Sequence, residues 1–195
     1  MKLSILVLTV PRRLTTFFPK IIRCLEGQIK DRKDIEVFGL YDNKKMTVGG
    51  KRNALLHIAR GKFTTFVDDD DRVSDDYIDS IMAAIDANPD ADCIIYDIIC
   101  TIKRNGIVQK EKLCKYGIEY EKFGATTPDG KNWAGKPEHR MVYNSKISKE
   151  VKFPEKNFKE DLIWTKEAAL KIKNQVKIDK VLYYFDFDYA ITETQ

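Results

Sequence analysis

One stretch constrains this chain more than any other: a short apolar run that ends in four consecutive aspartates. Residues 63–67 are β-branched or aromatic, and the acidic run 68–71 follows at once. An apolar run of this length between breakers predicts a buried strand. Charged side chains are almost never buried without partners, so the strand must deliver its carboxylates to an open edge of a sheet.

Carboxylates packed this closely repel one another, and the repulsion raises their pKa values unless a cation lies among them. Oxygen ligands of this kind suit Mg²⁺ or Mn²⁺, and Mg²⁺ typically uses one or two carboxylates together with substrate phosphates. The alternative is that the acidic run is a solvated turn that caps the following helix. The residues upstream favour the metal site.

Upstream, two glycines open a predicted helix that carries two basic residues in its first turn. Gly49 and Gly50 permit close backbone approach, and Lys51 and Arg52 follow them. Basic residues at a helix N-terminus oppose the macrodipole, and an anion bound between them and the free N–H groups would resolve that conflict. A diphosphate bridged by a divalent cation fits both this helix start and the acidic strand end.

These motifs resemble those of family 2 glycosyltransferases, which have the GT-A fold. The matching segments are Gly50-Lys51-Arg52-Asn53, then Ala59-Arg60-Gly61-Lys62-Phe63, then Phe66-Val67-Asp68-Asp69-Asp70-Asp71. In that family a Gly-x-Arg-Asn helix precedes a strand that ends in an Asp-x-Asp motif, and the spacing here matches without an insertion.

The resemblance assigns roles to the acidic run. Asp70 is the expected metal ligand and Asp71 a further one, with Mn²⁺ or Mg²⁺ as cofactor. Asp68 is expected on the ribose or the nucleotide. Because four aspartates are adjacent, the register is open by one residue, and Asp69 is included among the donor-binding residues.

The resemblance also implies donor contacts outside the acidic run. Thr9 and Pro11 follow the first strand at the nucleotide edge, while Lys51 and Arg52 would reach the diphosphate or the base. Asp42 resembles the family's acidic residue on the nucleotide base. The usual acidic-acidic-Gly-Ser continuation is absent there, which weakens that assignment.

A second acidic pair, Glu160-Asp161, opens the last predicted helix. Acidic side chains in a first turn complement the helix dipole, which is the ordinary explanation. The resemblance gives a sharper one, because Phe153-Pro154 followed by Glu160-Asp161 looks like the family's segment whose aspartate acts as base. An inverting transfer needs one base for the acceptor hydroxyl. We therefore expect Asp161 to be the base and Glu160 to orient the acceptor or support the site.

The fold expected is α/β: a single GT-A-like domain over residues 1–195, with a doubly wound, mostly parallel but mixed sheet flanked by helices. Strand patterns at 2–10, 35–41, 63–68 and 92–102 alternate with helical ones. Thr9, Asp42 and the acidic run all lie at carboxyl ends of strands, where such sheets bind ligands. Residues 1–102 would bind the nucleotide sugar, and 103–195 would form the acceptor side.

Further along, the patterns predict a helix over 75–88 with Ser74 as N-cap, and a hairpin at Arg104-Asn105-Gly106. Residues 114–137 lack periodicity and mix aromatics, Phe123 among them, with glycines, so acceptor specificity is expected there. Trp133 is a candidate for stacking on the acceptor. His139, at the start of a short strand predicted over 139–143, is a second acceptor-side candidate.

Composition sets few further limits. The net charge is +4, and hydrophobic residues make up 43% of the chain. No apolar run approaches the ~18–20 residues that span a bilayer. The sequence enters a strand with no cleavable signal pattern. The four cysteines lack C-x-x-C spacing and are interpreted as thiols of a reducing cytoplasm. A cytoplasmic protein is expected.

The function expected is a metal-dependent, inverting glycosyltransferase, hexosyl or pentosyl, that moves a sugar from a nucleoside diphosphate to an acceptor hydroxyl. The acceptor is open: a saccharide, a protein or the hydroxymethylated bases of phage DNA. One alternative is a non-catalytic nucleic-acid-binding module, although no nucleic-acid-binding motif is present. Another is nucleotidyl transfer, disfavoured because Val10-Pro11-Arg12-Arg13 lacks the glycines of such loops.

Overall fold

A computed structural model describes residues 1–121 and 125–189 of the chain. The strands, numbered in chain order, are β1 (Leu3–Leu8), β2 (Ile35–Leu40), β3 (Phe63–Asp68), β4 (Arg72–Val73), β5 (Cys93–Arg104), β6 (Ile107–Tyr116), β7 (Ala125–Thr126), β8 (Trp133–Gly135), β9 (Val142–Asn144) and β10 (Gln175–Asp188). The helices are α1 (Phe18–Ile29), α2 (Val48–Ile58), α3 (Tyr77–Ala87), α4 (Ser145–Ser148) and α5 (Glu160–Ala169). A single 3₁₀ turn covers Pro11–Arg13.

The strands of these two ranges form one mixed sheet that extends through both halves of the chain. Its main path runs β2-β1-β3-β9-β5-β6-β8-β7, and β10 pairs with β5 and β4. β1 lies between β2 and β3, parallel to both, and every one of its residues is buried. Helices cover the sheet and bury its apolar side chains, as expected for a continuous apolar strand. The predicted α/β fold is confirmed.

The sheet departs from a fully parallel arrangement beside β3. The short strand β9 lies between β3 and β5 and is antiparallel to both. β9 comes from the loop that follows β8, so this loop enters the sheet next to the strand that carries the acidic run. It therefore brings residues 138–141 close to the end of β3.

Local expectations were met where the pattern is strong. The hairpin between β5 and β6 turns at Asn105 and Gly106, whose φ angles are 51° and 77°. Two positive φ angles are what a tight hairpin turn needs, which explains the Asn-Gly pair. The helix predicted over 75–88 corresponds to α3, where Ile78, Ile81 and Met82 are buried.

Several element boundaries were predicted wrongly. α3 begins at Tyr77, and Ser74 donates its hydroxyl hydrogen bond to Asp76 rather than capping the helix. The strand expected at 139–143 is β9, and it begins only at Val142. α5 spans Glu160–Ala169, which is shorter than expected.

The region 114–137, expected to be irregular, contains the end of β6 and the short strands β7 and β8. Phe123 lies outside the described residues. Within the described part of the chain, no helix is long and apolar enough to cross a membrane.

Candidate active site

A cavity of about 530 Å³ opens where β1 and β3 end and where α2 and α5 begin. It draws on widely separated parts of the sequence. The charged and titratable residues that line it are Arg13, Lys44, Lys51, Arg52, Asp68, Asp69, Asp70, His139, Arg140, Lys159, Glu160 and Asp161. Phe158, Phe185 and Phe187 contribute apolar surface. Residues of the acidic run after β3 and the acidic pair at the start of α5 therefore line the same cavity.

Asp68, the last residue of β3, is held by a buried arginine from α2. Arg52 Nη2 lies 3.2 Å from Asp68 Oδ1, and its Nε lies 3.4 Å from Glu160 Oε1 at the start of α5. Phe66 and Phe153 pack on the guanidinium. Burial opposes the charge of Asp68, but the nearby positive charges, Arg52 foremost, hold its pKa well below the ordinary value. Arg52 thus links the strand end to the second acidic pair.

Asp69 and Asp70 share one arginine from the turn after β1. Arg13 Nη1 lies 2.7 Å from Asp69 Oδ1, and Nη2 lies 2.8 Å from Asp70 Oδ2. Thr9 donates a hydrogen bond of 2.6 Å to the other oxygen of Asp69. Burial raises the pKa of Asp70 to about 6, with Asp68 and Asp69 adding to the effect of burial and Arg13 opposing it. The positive charge of Arg13 therefore does not fully offset the effect of burial and of the neighbouring carboxylates on Asp70.

Asp71 lies in a different environment from its three neighbours. Its oxygens accept hydrogen bonds from the Tyr183 hydroxyl at 2.8 Å and from the Asp186 backbone N–H at 3.0 Å. Arg140 Nη1 lies 3.6 Å away. Burial and the charge of Asp68 raise its pKa well above the ordinary value. Asp71 connects the acidic run to β10 and does not line the large cavity.

Lys51 joins the ends of β1 and β2. Its Nζ lies 3.1 Å from Asp42 Oδ1 and 3.4 Å from the carbonyl oxygen of Thr9. Asp42 also accepts hydrogen bonds from the backbone N–H groups of Lys44 and Met46. Thr9 and Lys51 line the cavity, whereas Asp42 does not line it and contacts the buried Lys51.

The start of α2 differs from the expectation of free N–H groups facing a phosphate. Gly50 N donates to the Thr47 hydroxyl, Gly49 N donates to the Lys156 carbonyl, and Val48 N donates to Asn157 Oδ1. These three donors are occupied within the protein. The expectation of free N–H groups is therefore not met at the first three positions of α2, while phosphate binding near this helix start stays a prediction.

The glycines and the asparagine of this motif serve the same contact. A Cβ on Gly49 would lie 1.9 Å from the carbonyl oxygen of Pro154. The Asn53 amide both donates to the Phe153 carbonyl and accepts from the Phe153 N–H, each at 2.9 Å. α2 is thus packed directly against the segment that leads to α5.

Glu160 and Asp161 follow a residue with an unusual backbone conformation. Lys159 has φ 63° and ψ 13°, in the left-handed region that non-glycine residues rarely adopt. Glu160 is buried against Arg52, whereas Asp161 is half-buried and accepts a hydrogen bond from the N–H of Leu162. Asp161 lines the cavity, and within the described part of the chain no Lys, Arg or His forms an ion pair with it. Such an acid can accept a proton from a bound hydroxyl.

The remaining candidates separate into two groups. His139 lines the cavity, with Nε2 3.6 Å from Asp68 Oδ2. Trp133 lies in β8 beneath Lys110, whose Nζ is 4.8 Å from the ring centroid, and it is not among the residues that line the cavity. Pro11 begins the 3₁₀ turn that carries Arg13 and also lies off the cavity wall.

The protein alone supplies only some of the ligands that a divalent cation would need at this site. Among the described residues, no group of three or more His, Cys, Asp or Glu side chains is arranged to hold a metal ion. Asp70 nevertheless offers a hard carboxylate at the cavity edge, and burial raises its pKa to about 6. Mg²⁺ commonly takes one or two carboxylates and completes its shell with phosphates and water. The carboxylate of Asp70 therefore suits a cation whose other ligands come from a diphosphate and water.

Sequence reasoning missed two residues of this site. Arg13 follows β1 in the chain and pairs with Asp69 and Asp70 after β3, a contact that no local sequence pattern indicates. Arg140 lies on the cavity wall, where Tyr183 and Phe185 pack on its guanidinium. Its sequence context is a loop without periodicity, so no local signal identifies it.

Comparison with known proteins agrees with this geometry. A family model described as "Glycosyl transferase family 2" matches residues 19–151. No curated protein sequence matches the chain.

Crystal structures of S. aureus TarS share the fold. TarS 1-349 in complex with UDP superposes with a TM-score of 0.65 at 20% identity, over 95% of this chain and 60% of that one. TarS 1-349 in complex with UDP-GlcNAc gives 0.63 at 19% identity, over 100% and 60%. A longer TarS structure gives 0.64 at 20%, over 95% and 37%. This chain therefore spans 60% or less of the length of these TarS structures.

Proposed function

The chain belongs to glycosyl transferase family 2, and we propose that it transfers a sugar from a nucleoside diphosphate to an acceptor hydroxyl with inversion at the anomeric carbon. The observation that carries this proposal is the convergence of three segments on one cavity. Asp68 and Asp70 come from the end of β3, Arg52 from α2, and Asp161 from α5. An acidic strand end, a buried cation and a separate acid are the parts that such a transfer requires.

The donor lies over the ends of β1, β2 and β3 in this proposal. Thr9, Asp42 and Lys51 would border the nucleotide, and Asp70 would hold a Mn²⁺ or Mg²⁺ ion together with the diphosphate. When bound, this ion supplies positive charge to the leaving group. Arg13 neutralises Asp69 and one oxygen of Asp70, so the carboxylates do not repel the diphosphate at full strength. Asp71 serves the fold by its bonds to β10.

Asp161 accepts the proton of the acceptor hydroxyl as that oxygen attacks the anomeric carbon. Asp161 is suited to this because it lines the cavity while Glu160, its neighbour, is already paired with Arg52. Glu160 acts indirectly: it fixes Arg52 and the first turn of α5. The nucleoside diphosphate leaves from the opposite face of the sugar, toward Arg52 and Asp70.

A uridine diphosphate sugar is the donor to test first, because the TarS structures were solved with UDP and with UDP-GlcNAc. The proposed acceptor is a hydroxyl of a saccharide, a protein or a modified DNA base. Phe158, Phe185 and Phe187 would line the acceptor end of the cavity.

The test is a panel of uridine, guanosine, cytidine and thymidine diphosphate sugars, each titrated by calorimetry with Mn²⁺ and with EDTA. Slow donor hydrolysis is followed in parallel. We expect one donor to bind in a metal-dependent manner and to lose that dependence in Asp70→Ala. Equal binding with EDTA and with Mn²⁺ would reject the metal. Silence of the folded wild type across the panel would reject the donor class.

A further inference from the structure

Three side chains on the cavity wall carry buried nitrogen atoms that lack a hydrogen-bond partner among the described residues. They are Arg52 at Nη1, Arg140 at Nη1 and His139 at both ring nitrogens. Buried polar groups in native proteins are nearly always hydrogen-bonded. When several such donors face one cavity, a ligand that accepts hydrogen bonds is the expected partner.

His139 differs from the two arginines because none of its ring nitrogens is hydrogen-bonded to a described residue, whereas each arginine is paired through other nitrogens. Arg52 is paired through its other nitrogens with Asp68 and Glu160, and Arg140 Nε is paired with Glu138. His139 is only 3% exposed, and its Nε2 lies 3.6 Å from Asp68 Oδ2. That distance is too long for a hydrogen bond.

The position of His139 is fixed by the sheet. Its carbonyl oxygen accepts a hydrogen bond from the N–H of Phe66 on β3, and its ring packs edge-on against the Phe66 ring at 6.1 Å between centroids. The imidazole therefore stands beside the end of β3, two residues from Asp68 along the strand. This is the donor side of the cavity, not the acceptor side to which the sequence pattern pointed.

A phosphate group is a better hydrogen-bonding partner for the N–H groups of Arg52, Arg140 and His139 than a sugar hydroxyl is. Phosphate oxygens only accept, and several donors can converge on one phosphate. The usual alternative, the start of α2, is closed because its N–H groups bond to Thr47, Lys156 and Asn157.

We propose that His139, together with Arg52, binds the β-phosphate of the sugar donor and of the departing nucleoside diphosphate. This inference rests on the proposed function, because it assumes that the cavity takes a nucleoside diphosphate sugar. In this proposal His139 binds the sugar donor, and the phosphate is bound by two side chains and not by the backbone N–H groups of α2.

The experiment compares nucleoside diphosphates with the matching monophosphates, because only the diphosphates carry the β-phosphate. UDP and UMP, and the corresponding GDP, CDP and dTDP pairs, are titrated calorimetrically with Mn²⁺ against wild type, His139→Phe and His139→Gln. The control is His57→Gln, which alters the exposed histidine on α2. Thermal denaturation establishes that each variant is folded.

For the nucleotide that wild type binds, we expect His139→Phe to weaken the diphosphate about tenfold and the monophosphate less than about twofold, since one charge-assisted hydrogen bond is lost. His139→Gln, which keeps a donor at similar reach, should retain more diphosphate affinity than the phenylalanine variant. The control should match wild type.

An unchanged ratio of diphosphate to monophosphate affinity in both His139 variants would overturn the proposal, even with the donor class confirmed. Should His139→Phe not fold, the same ratio in His139→Gln and His139→Asn decides. Glutamine close to wild type with asparagine weakened supports a contact through Nε2, whereas two unchanged ratios overturn it. Absence of binding by wild type to every pair would instead contradict the proposed function.

Discussion

The two sides of the cavity are assembled in different ways. Where β1, β2 and β3 end, charged side chains are already paired with one another: Arg13 with Asp69 and Asp70, and Lys51 with Asp42. On the opposite side, Asp161 follows a segment held to α2 by hydrogen bonds between the Asn53 side chain and the Phe153 backbone and between the Gly49 N–H and the Lys156 carbonyl. The ends of β1, β2 and β3, where we propose that the sugar donor binds, are thus organised by ion pairs, whereas the segment that carries the proposed base is organised by its packing on α2.

This difference explains the motif that first indicated the family. Gly49 donates its N–H to the Lys156 carbonyl, and Asn53 exchanges hydrogen bonds with the Phe153 backbone through its amide. They let α2 pack against Phe153 and Pro154. Arg52, between them in sequence, reaches both Asp68 and Glu160 and so connects the two sides. The motif therefore positions the acidic run after β3 relative to the acidic pair at the start of α5.

The comparison predicts its largest effect at the end of the packed segment. Asp161→Asn removes the proposed base while leaving the paired donor side intact, so donor hydrolysis or transfer should fall about 10²- to 10⁴-fold. Binding of the donor should change little. Stopped assays of product formation, together with calorimetric titration of the donor, check both statements.

The matched control is Glu167→Gln, an exposed acid on the same helix. It should retain wild-type activity. If Asp161→Asn kept most of its activity, the base would have to be sought elsewhere on the cavity wall.

The next effect concerns packing itself. Gly49→Ala places a methyl group against the Pro154 carbonyl, so the free energy of unfolding should fall by about 1–3 kcal/mol in the absence of any nucleotide. Urea denaturation measures this. Gly27→Ala is the control, because a Cβ there meets no atom within 4 Å and the residue lies in α1. That variant should be more stable by about 0.5–1 kcal/mol.

A Gly49→Ala protein with unchanged stability but lost nucleotide binding would contradict the packing role. It would restore the view that this glycine admits a phosphate.

A third prediction probes the charged side through pH. The pKa of Asp70 is raised to about 6, so below that pH the carboxyl is protonated and cannot hold a cation. Mn²⁺ affinity, with the nucleotide present, should therefore rise about tenfold from about pH 5 to about pH 7. Without metal, the raised pKa means that this carboxyl stabilises the fold most below its unfolded pKa, and that the contribution is lost as pH rises through about 6.

Electron paramagnetic resonance of free Mn²⁺ measures the affinity across this range. In Asp70→Asn the steep rise should disappear. A wild-type affinity that stays flat with pH would mean that Asp70 is not the group that binds the ion.

The smallest effect is expected far from both sides. Trp133→Leu alters a side chain of β8 that packs under Lys110 and does not line the cavity, so donor affinity and donor hydrolysis should change less than about twofold. The same titrations provide the test. A large loss of donor affinity would show that the cavity extends to β8.

Much of the donor side could be predicted from sequence because its signals are local. β1, β2 and β3 are short apolar runs, and the residues that follow each run lie at one edge of a parallel sheet. The order of strands and helices through β5 therefore followed from periodicity. Asp68 and Asp70 were identified by their position directly after β3.

The rest depends on contacts between residues far apart in sequence. β9 has three residues, and its place between β3 and β5 is set by pairing alone. The reason for Gly49 lies about a hundred residues away at Pro154, which no local pattern shows. His139 was assigned to the acceptor side because its neighbours in sequence precede α5, whereas its hydrogen bond to Phe66 puts it beside β3.

The most direct test of the account is the configuration of the sugar when it is first released. With Asp161 opposite the leaving diphosphate, a single displacement must invert the anomeric carbon. Proton NMR of the earliest product, from hydrolysis or transfer of an α-linked donor, should show the β-anomer before mutarotation. An α-anomer as the first product would mean that the reaction retains configuration, and Asp161 could not then be the base of a single in-line displacement.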